Sequence, residues 1–288
     1  MNRARFWQLM LVMVLGTGII ACGSPQNSDE EDDSNLTEIE VTEMDNPEEN
    51  SFLYNLPSPL QIASIFRRAG LTYVPELTNK PSNVSNYNTK FIQKLNFGAY
   101  AADLAYSALN EQNQSCINYV QSLSTLSESL WMTNVFNSVS ILDRFEKNMG
   151  NGDSLGYIIS DFQMELDTYL EENGLSMNSL VIFTGAWIES MHLGLQSMKG
   201  ESNPVLMSRL IEQKKILKDL IGILESQDND AEEKILIGHL KKIEGHFAKY
   251  NIDAVESEED LAKLAMSAED IELLTTDVEE ARKFIVNG

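Results

Sequence analysis

From residue 58 onward the apolar positions recur every three or four residues, the spacing that lines one face of an α-helix. Nowhere does the strict alternation of a half-buried strand hold for long. Ser58-Pro59 opens the first helix, a capping hydroxyl followed by proline in the first turn. Leu60, Ile62, Ala63 and Phe66 continue it and Gly70 closes it. A proline- and asparagine-rich loop follows, TYVPELTNKPSNVSN. Helices are then predicted almost without a break, near 86–112, 114–130, 134–148, 154–173, 177–199, 204–227, 230–250, 258–265 and 268–286. Gly150-Asn151-Gly152, Glu172-Asn173-Gly174 and the run from Gly200 to Pro204 punctuate them. The predicted class is all-α, a multi-helix bundle.

The width of each apolar face predicts where its helix sits. In 155–172, Leu155, Ile158, Ile159, Phe162, Leu166 and Tyr169 make one stripe with acids elsewhere, which marks a peripheral helix. Leu210, Leu217 and Leu224 recur every seven residues and suit a neighbour packed lengthwise. Ser257-x-x-Asp260 and Ser267-x-x-Asp270 read as capping boxes with Asp in place of Glu. Two helices are apolar nearly all round and belong at the centre. In FGAYAADLAYSALN, Gly98 and five alanines permit close approach of a neighbour, and Asn96, Asp103, Ser107 and Asn110 form a narrow polar stripe. In 177–199, Leu180, Phe183, Trp187, Met191 and Met198 form the main stripe beside a band of Gly185, Glu189, His192 and Gln196.

The N-terminus changes the picture. Arg3 and Arg5 precede an apolar run from Leu9 to Ile20, too short to cross a bilayer comfortably, and small residues follow. That order reads as a secretory signal over residues 1–21. Ile19-Ile20-Ala21-Cys22 resembles a bacterial lipobox, and the resemblance implies cleavage before Cys22 and acylation of that cysteine, the only covalent group expected on the chain. The alternative is an ordinary signal with an incidental cysteine. Residues 28–50 then hold 11 Asp or Glu and no Lys or Arg, so residues 22–55 are expected to be a disordered acidic tether. The cluster Asp29 to Asp33 resembles an acidic export signal for the outer face; it reads equally as a self-repelling spacer. The expected location is a lipid-anchored protein of the bacterial envelope, at the outer membrane, facing the periplasm or the surface. The helical domain is then 56–288, with a possible sub-boundary near 200–204.

Charge excludes one class of partner. The chain carries a net −23, and loss of Arg3 and Arg5 with the signal makes it −25. Its scattered Lys and Arg leave no electrostatic footprint for nucleic acid. The expected partners are the membrane, through the anchor, and a protein of the envelope. With Cys22 acylated, Cys116 is alone, and its helical apolar neighbours predict a buried thiol.

Several stretches together resemble a family of uncharacterised helical bacterial lipoproteins whose signature is close to L-N-L-G-x-Y-x-A-D-L-x-Y. They are Ile62-Ala63-Ser64, the Ala69-Gly70 break, Tyr87 and Leu95 to Tyr106, followed by Trp187 to Ser190 and Val278-x-x-x-Arg282-x-x-Ile285-Val286. Phe97 stands where leucine is expected. The resemblance implies location and helical fold; it carries no reaction, ligand or catalytic residue.

The candidate chemistry gathers on the two central helices. In GAWIESMHL, Glu189 and His192 lie one turn apart on one face, the spacing by which E-x-x-H ligates metal in di-iron bundles. Such a site needs a second pair, but neither His239 nor His246 supplies one, because Leu236 and Ile243 occupy the positions three residues before them. A mixed site of Glu189, His192 and Asp103 remains conceivable. The simpler reading is a polar core in which Asp103, Tyr106, Glu189 and His192 pair across helices, since an unpaired buried polar group costs about 1–3 kcal/mol. No nucleophile elbow, phosphate loop or H-E-x-x-H motif is present. Two functions remain open: a membrane-anchored binding or structural module without resident metal or cofactor, and a pocket protein or metal-carboxylate enzyme using Glu189, His192 and Asp103.

Overall fold

A computed structural model describes residues 56–198, 203–255 and 257–288. The signal, Cys22, most of the tether and the turn at 199–202 lie outside the described residues. Eleven α-helices and two short 3-10 turns account for the fold, and no strand occurs among the described residues. The helices are α1 Pro59–Arg68, α2 Lys90–Leu109, α3 Asn113–Ser129, α4 Thr133–Val139, α5 Ile141–Lys147, α6 Gly152–Glu172, α7 Ser176–Ser197, α8 Pro204–Ser226, α9 Ala231–Phe247, α10 Glu258–Ala262 and α11 Ala268–Val286. No described helix is long and apolar enough to cross a membrane.

The centre is the pair α2 and α7. Between Phe91 and Ala108, α2 buries fifteen residues, Asn96 and Asp103 among them, and α7 is buried without interruption from Leu180 to Gln196. Two glycines make this contact intimate. A Cβ added to Gly98 would stand 1.8 Å from the Ile182 carbonyl oxygen, and one added to Gly185 would stand 1.9 Å from the Leu95 carbonyl oxygen. Backbone therefore meets backbone, and neither position has room for a methyl group. Around the pair, α1, α3 and α6 pack on α2, while α8 and α11 pack on α7. Helices α8 and α9 form a hairpin, and α9 also lies against α11. One contiguous apolar cluster runs from Ile62 to Ile285, all of it inside the single compact unit Val41–Gly288. That unit thus carries a complete core of its own.

Helix ends follow the local sequence. Ser58 and Gln61 cap α1 reciprocally, as do Asp230 and Glu233 for α9 and Ser267 and Asp270 for α11. At α10 only half of the expected box forms: Ser257 accepts from the Asp260 amide.

Several boundaries differ from the pattern, three of them for a visible reason or with a visible effect. The helix expected from 86 begins at Lys90, because Pro81 starts a 3-10 turn through Asn86 and Thr89 then caps the Ile92 amide. The helix expected over 134–148 is broken at Ser140, whose φ of 45° is left-handed. The break turns Phe136 onto Phe97 and Phe162 while Ile141 and Phe145 remain buried. Apolar spacing is satisfied on both sides of it, so periodicity passes over it. The helix expected over 258–265 ends at Ala262.

Candidate functional site: a closed polar core beneath the 71–89 loop

Asp103 on α2 and Glu189 and His192 on α7 are carried to the centre by helices whose other faces are apolar. All three are buried, Asp103 completely. The cation that meets them comes from α11. Arg282 grips Glu189 with both arms of its guanidinium, Nε donating to Oε2 at 2.7 Å and Nη2 to Oε1 at 2.9 Å. This two-pronged geometry is the strongest form of the ion pair. Nη2 also donates to the Leu77 carbonyl at 3.1 Å, which His192 Nε2 approaches at 3.3 Å.

Asp103 completes the arrangement differently. Its Oδ2 accepts from the Asn79 amide at 3.0 Å, while no donor reaches Oδ1. Burial, and next the charge of the adjoining Glu189, hold the Asp103 carboxyl well above the usual carboxylate range. A protonated Asp103 adds no charge to the Glu189–Arg282 ion pair beside it. Burial opposes the charge on Arg282, but Glu189 outweighs that and keeps its pKa above the ordinary value. His192 is held below its ordinary value by burial. It is neutral at pH 7, with the proton assigned to Nε2 so that it can donate to Leu77.

The same layer fastens the loop that crosses it. Asn79 Nδ2 donates to the Tyr87 hydroxyl at 2.8 Å and to Asn96 Oδ1 at 3.1 Å. Asn96 Nδ2 in turn donates to the Ile92 and Ile285 carbonyls. Tyr100 donates to the Lys80 carbonyl at 3.0 Å. Tyr106 donates to the Thr72 carbonyl at 3.2 Å and accepts from the Val74 amide at 2.7 Å, with the Tyr73 ring stacked on its own. The structure therefore brings Asp103, Tyr106, Glu189 and His192 under one loop. Its remaining members, Asn79, Tyr87, Asn96, Tyr100 and Arg282, were not singled out for this role from sequence. The signal for Arg282 was its place: four residues after Val278 and three before Ile285, on the apolar side of α11.

Other candidates settle apart from this layer. His246 Nε2 lies 2.6 Å from Asp277 Oδ2, and the His239 ring lies against Phe284. Cys116 is buried, and burial pushes its thiol up to about 12. Among the described residues no three of His, Cys, Asp or Glu are grouped so as to hold a metal ion. Open space lies elsewhere: a cavity of about 450 Å³ between α1, α2, α6 and α7, which none of Asp103, Glu189, His192 or Arg282 lines.

The arrangement defines an all-α bundle with a buried polar core in which Asp103 Oδ1 and His192 Nδ1 are left without a partner. No protein-family model matches the chain, and neither does any curated protein or solved structure.

Proposed function

We propose that this chain is a lipid-anchored protein of the bacterial envelope, held through acyl groups on Cys22, and that its helical body is a binding module rather than an enzyme. The observation that carries the second half is the closure of the polar core. Both Glu189 oxygens are taken by Arg282, Asp103 Oδ2 accepts from the Asn79 amide, and the loop from Leu71 to Thr89 is tied down over them. A substrate entering there would have to displace an ion pair and a loop at once. The first half rests on Arg3, Arg5, the apolar run and Ile19-Ile20-Ala21-Cys22, and the resemblance to helical lipoproteins agrees with it.

Two measurements test the two halves separately. Mass spectrometry of the mature N-terminal peptide is expected to find acylated Cys22, and Cys22→Ser is expected to release the protein from the membrane fraction. An unmodified cysteine sinks the anchor. For the body, the competing reading is a metal-carboxylate enzyme built on Glu189, His192 and Asp103, favoured by the unpartnered His192 Nδ1. Stoichiometric zinc, iron or manganese that disappears in Glu189→Ala would establish that reading instead. A metal-free protein whose variant merely melts earlier supports the binding module.

A further inference from the structure

The binding module has a site that its polar core does not explain. Between α1, α2, α6 and α7 the bundle encloses about 450 Å³, within the range of roughly 300–1,000 Å³ typical of ligand pockets. The inner wall is aliphatic and aromatic: Phe97, Leu104, Leu123, Phe162, Leu170 and Phe183 face it, each nearly or fully buried. The side chains that leave the cavity open lie toward the rim, Leu60, Ala101 and Met164 among them. It also reaches the surface, because exposed side chains of α6, including Met164, Asp167 and Thr168, line its mouth.

Three features of that mouth narrow the occupant. Met164 is 60% exposed and Tyr157, two turns earlier on the same face of α6, is 69% exposed, so the apolar lining continues outward. Among the described residues no Lys or Arg lines the cavity, while Asp167 and Glu171 do. The N-terminal turns of α1 and α7, through Pro59 and Ser176, add partial positive charge and hydroxyls to the same rim. A carboxylate or phosphate head would meet two acids and no basic side chain. A neutral head with a hydroxyl can donate to Asp167 and accept from the helix ends.

We propose that this cavity binds a single-chain amphiphile with an uncharged hydroxylated head, the alkyl chain buried between α2, α6 and α7 and the head at Asp167. This deepens the binding-module reading and is independent of the anchor. It is independent of the closed polar core as well, because the two sites share no side chain among those argued from.

The test uses residues 23–288, which contain the complete core unit and lack only the signal and acylated cysteine. Calorimetric titration with octanol and decanol is expected to give one site per chain. Affinity is expected to rise about fourfold per added methylene, the increment for transferring one such group out of water. Decanoate is expected to bind about tenfold more weakly than decanol, and Asp167→Asn to narrow that gap. Ala101→Phe projects a ring from the α2 wall and is expected to abolish binding while circular dichroism stays helical. Ser179→Phe, on the α7 side, repeats the block should the first variant fail to fold. Absence of alkyl binding, affinity unresponsive to chain length, decanoate binding at least as tightly as decanol, or full affinity in a folded blocked variant each overturns the proposal. A failed titration beside an acylated Cys22 refutes the pocket alone; an unmodified Cys22 beside a normal titration refutes the anchor alone.

Discussion

Replacing Asp103 by asparagine reports whether a carboxyl in the centre of the bundle is protonated. The carboxamide has the same shape as the neutral acid, and its oxygen can accept from the Asn79 amide. Where the wild-type group is protonated in both states, the variant is expected to fall within about 1 kcal/mol of wild type. The difference lies in what happens as pH rises. Asp103 is raised in the folded state above its ordinary value near 3.8, so folding takes up a proton in the window between those two values. Stability from this group is fully present below the unfolded value and is lost as pH rises through the folded one. Within the window the wild type loses about 1.4 kcal/mol per pH unit relative to a variant that cannot titrate there. Every other ionisable group is common to both proteins and largely cancels.

Urea unfolding of both proteins, followed by circular dichroism from pH 4.5 to 8.5, measures that difference. The gap is expected to move steadily in favour of Asp103→Asn, so that the variant becomes the more stable protein at the alkaline end. Asp103→Ala provides the contrast, because it orphans the buried Asn79 amide at about 1–3 kcal/mol. A gap that stays constant across the pH range refutes a protonated Asp103 and means that the carboxyl is ionised in the fold.

Further outcomes follow from the same contacts. Glu189→Gln leaves the Arg282 charge half-enclosed without its partner and is expected to cost about 3 kcal/mol, the lower end for breaking a buried pair because 17% of the Arg282 side chain stays exposed. Glu189→Gln combined with Arg282→Met is expected to melt higher than the single variant in a thermal scan. Gly98→Ala or Gly185→Ala forces α2 and α7 apart and is expected to lower the melting temperature sharply. Gly222→Ala and Gly238→Ala, where an added Cβ meets nothing within 4 Å, are expected to raise stability by up to about 1 kcal/mol each. Cys116, with its thiol pushed up to about 12, is expected to resist a disulfide reagent in the native protein and to react at once in urea.

The all-α class, the central pair and the glycine contact were legible because each depends on spacing within one segment, whereas the break at Ser140, which makes two helices of one, was not. FGAYAADLAYSALN and the 177–199 helix are apolar around most of their circumference, which places them inside before any neighbour is known. The polar core was legible only in half. Glu189, His192, Asp103 and Tyr106 stand out as polar residues on buried helices. Spacing shows which residues share a face, but not what that face meets. The group that satisfies Glu189 is 93 residues away, and the amide that satisfies Asp103 belongs to an irregular loop. The cavity was invisible for a related reason: Phe97, Leu104 and Phe162 give the same periodic pattern whether other side chains or an open cleft lie above them.

The polar layer also explains why a loop with only one 3-10 turn, Pro81–Asn86, holds a defined path. Apolar contacts alone would accept the Leu71–Thr89 segment in several registers, since they are not directional. Here Asn79 presents its amide to Asp103 and its side chain to Tyr87 and Asn96, while Leu77 offers one carbonyl to both Arg282 and His192. A slip of one residue would remove the Asn79 amide from Asp103 and take its side chain from Asn96. Each buried group so orphaned costs about 1–3 kcal/mol, a large part of the roughly 5–15 kcal/mol by which whole domains are stable. E-x-x-H spacing on α7 therefore serves here to fix a loop: Glu189 reaches it through Arg282, and His192 touches it directly.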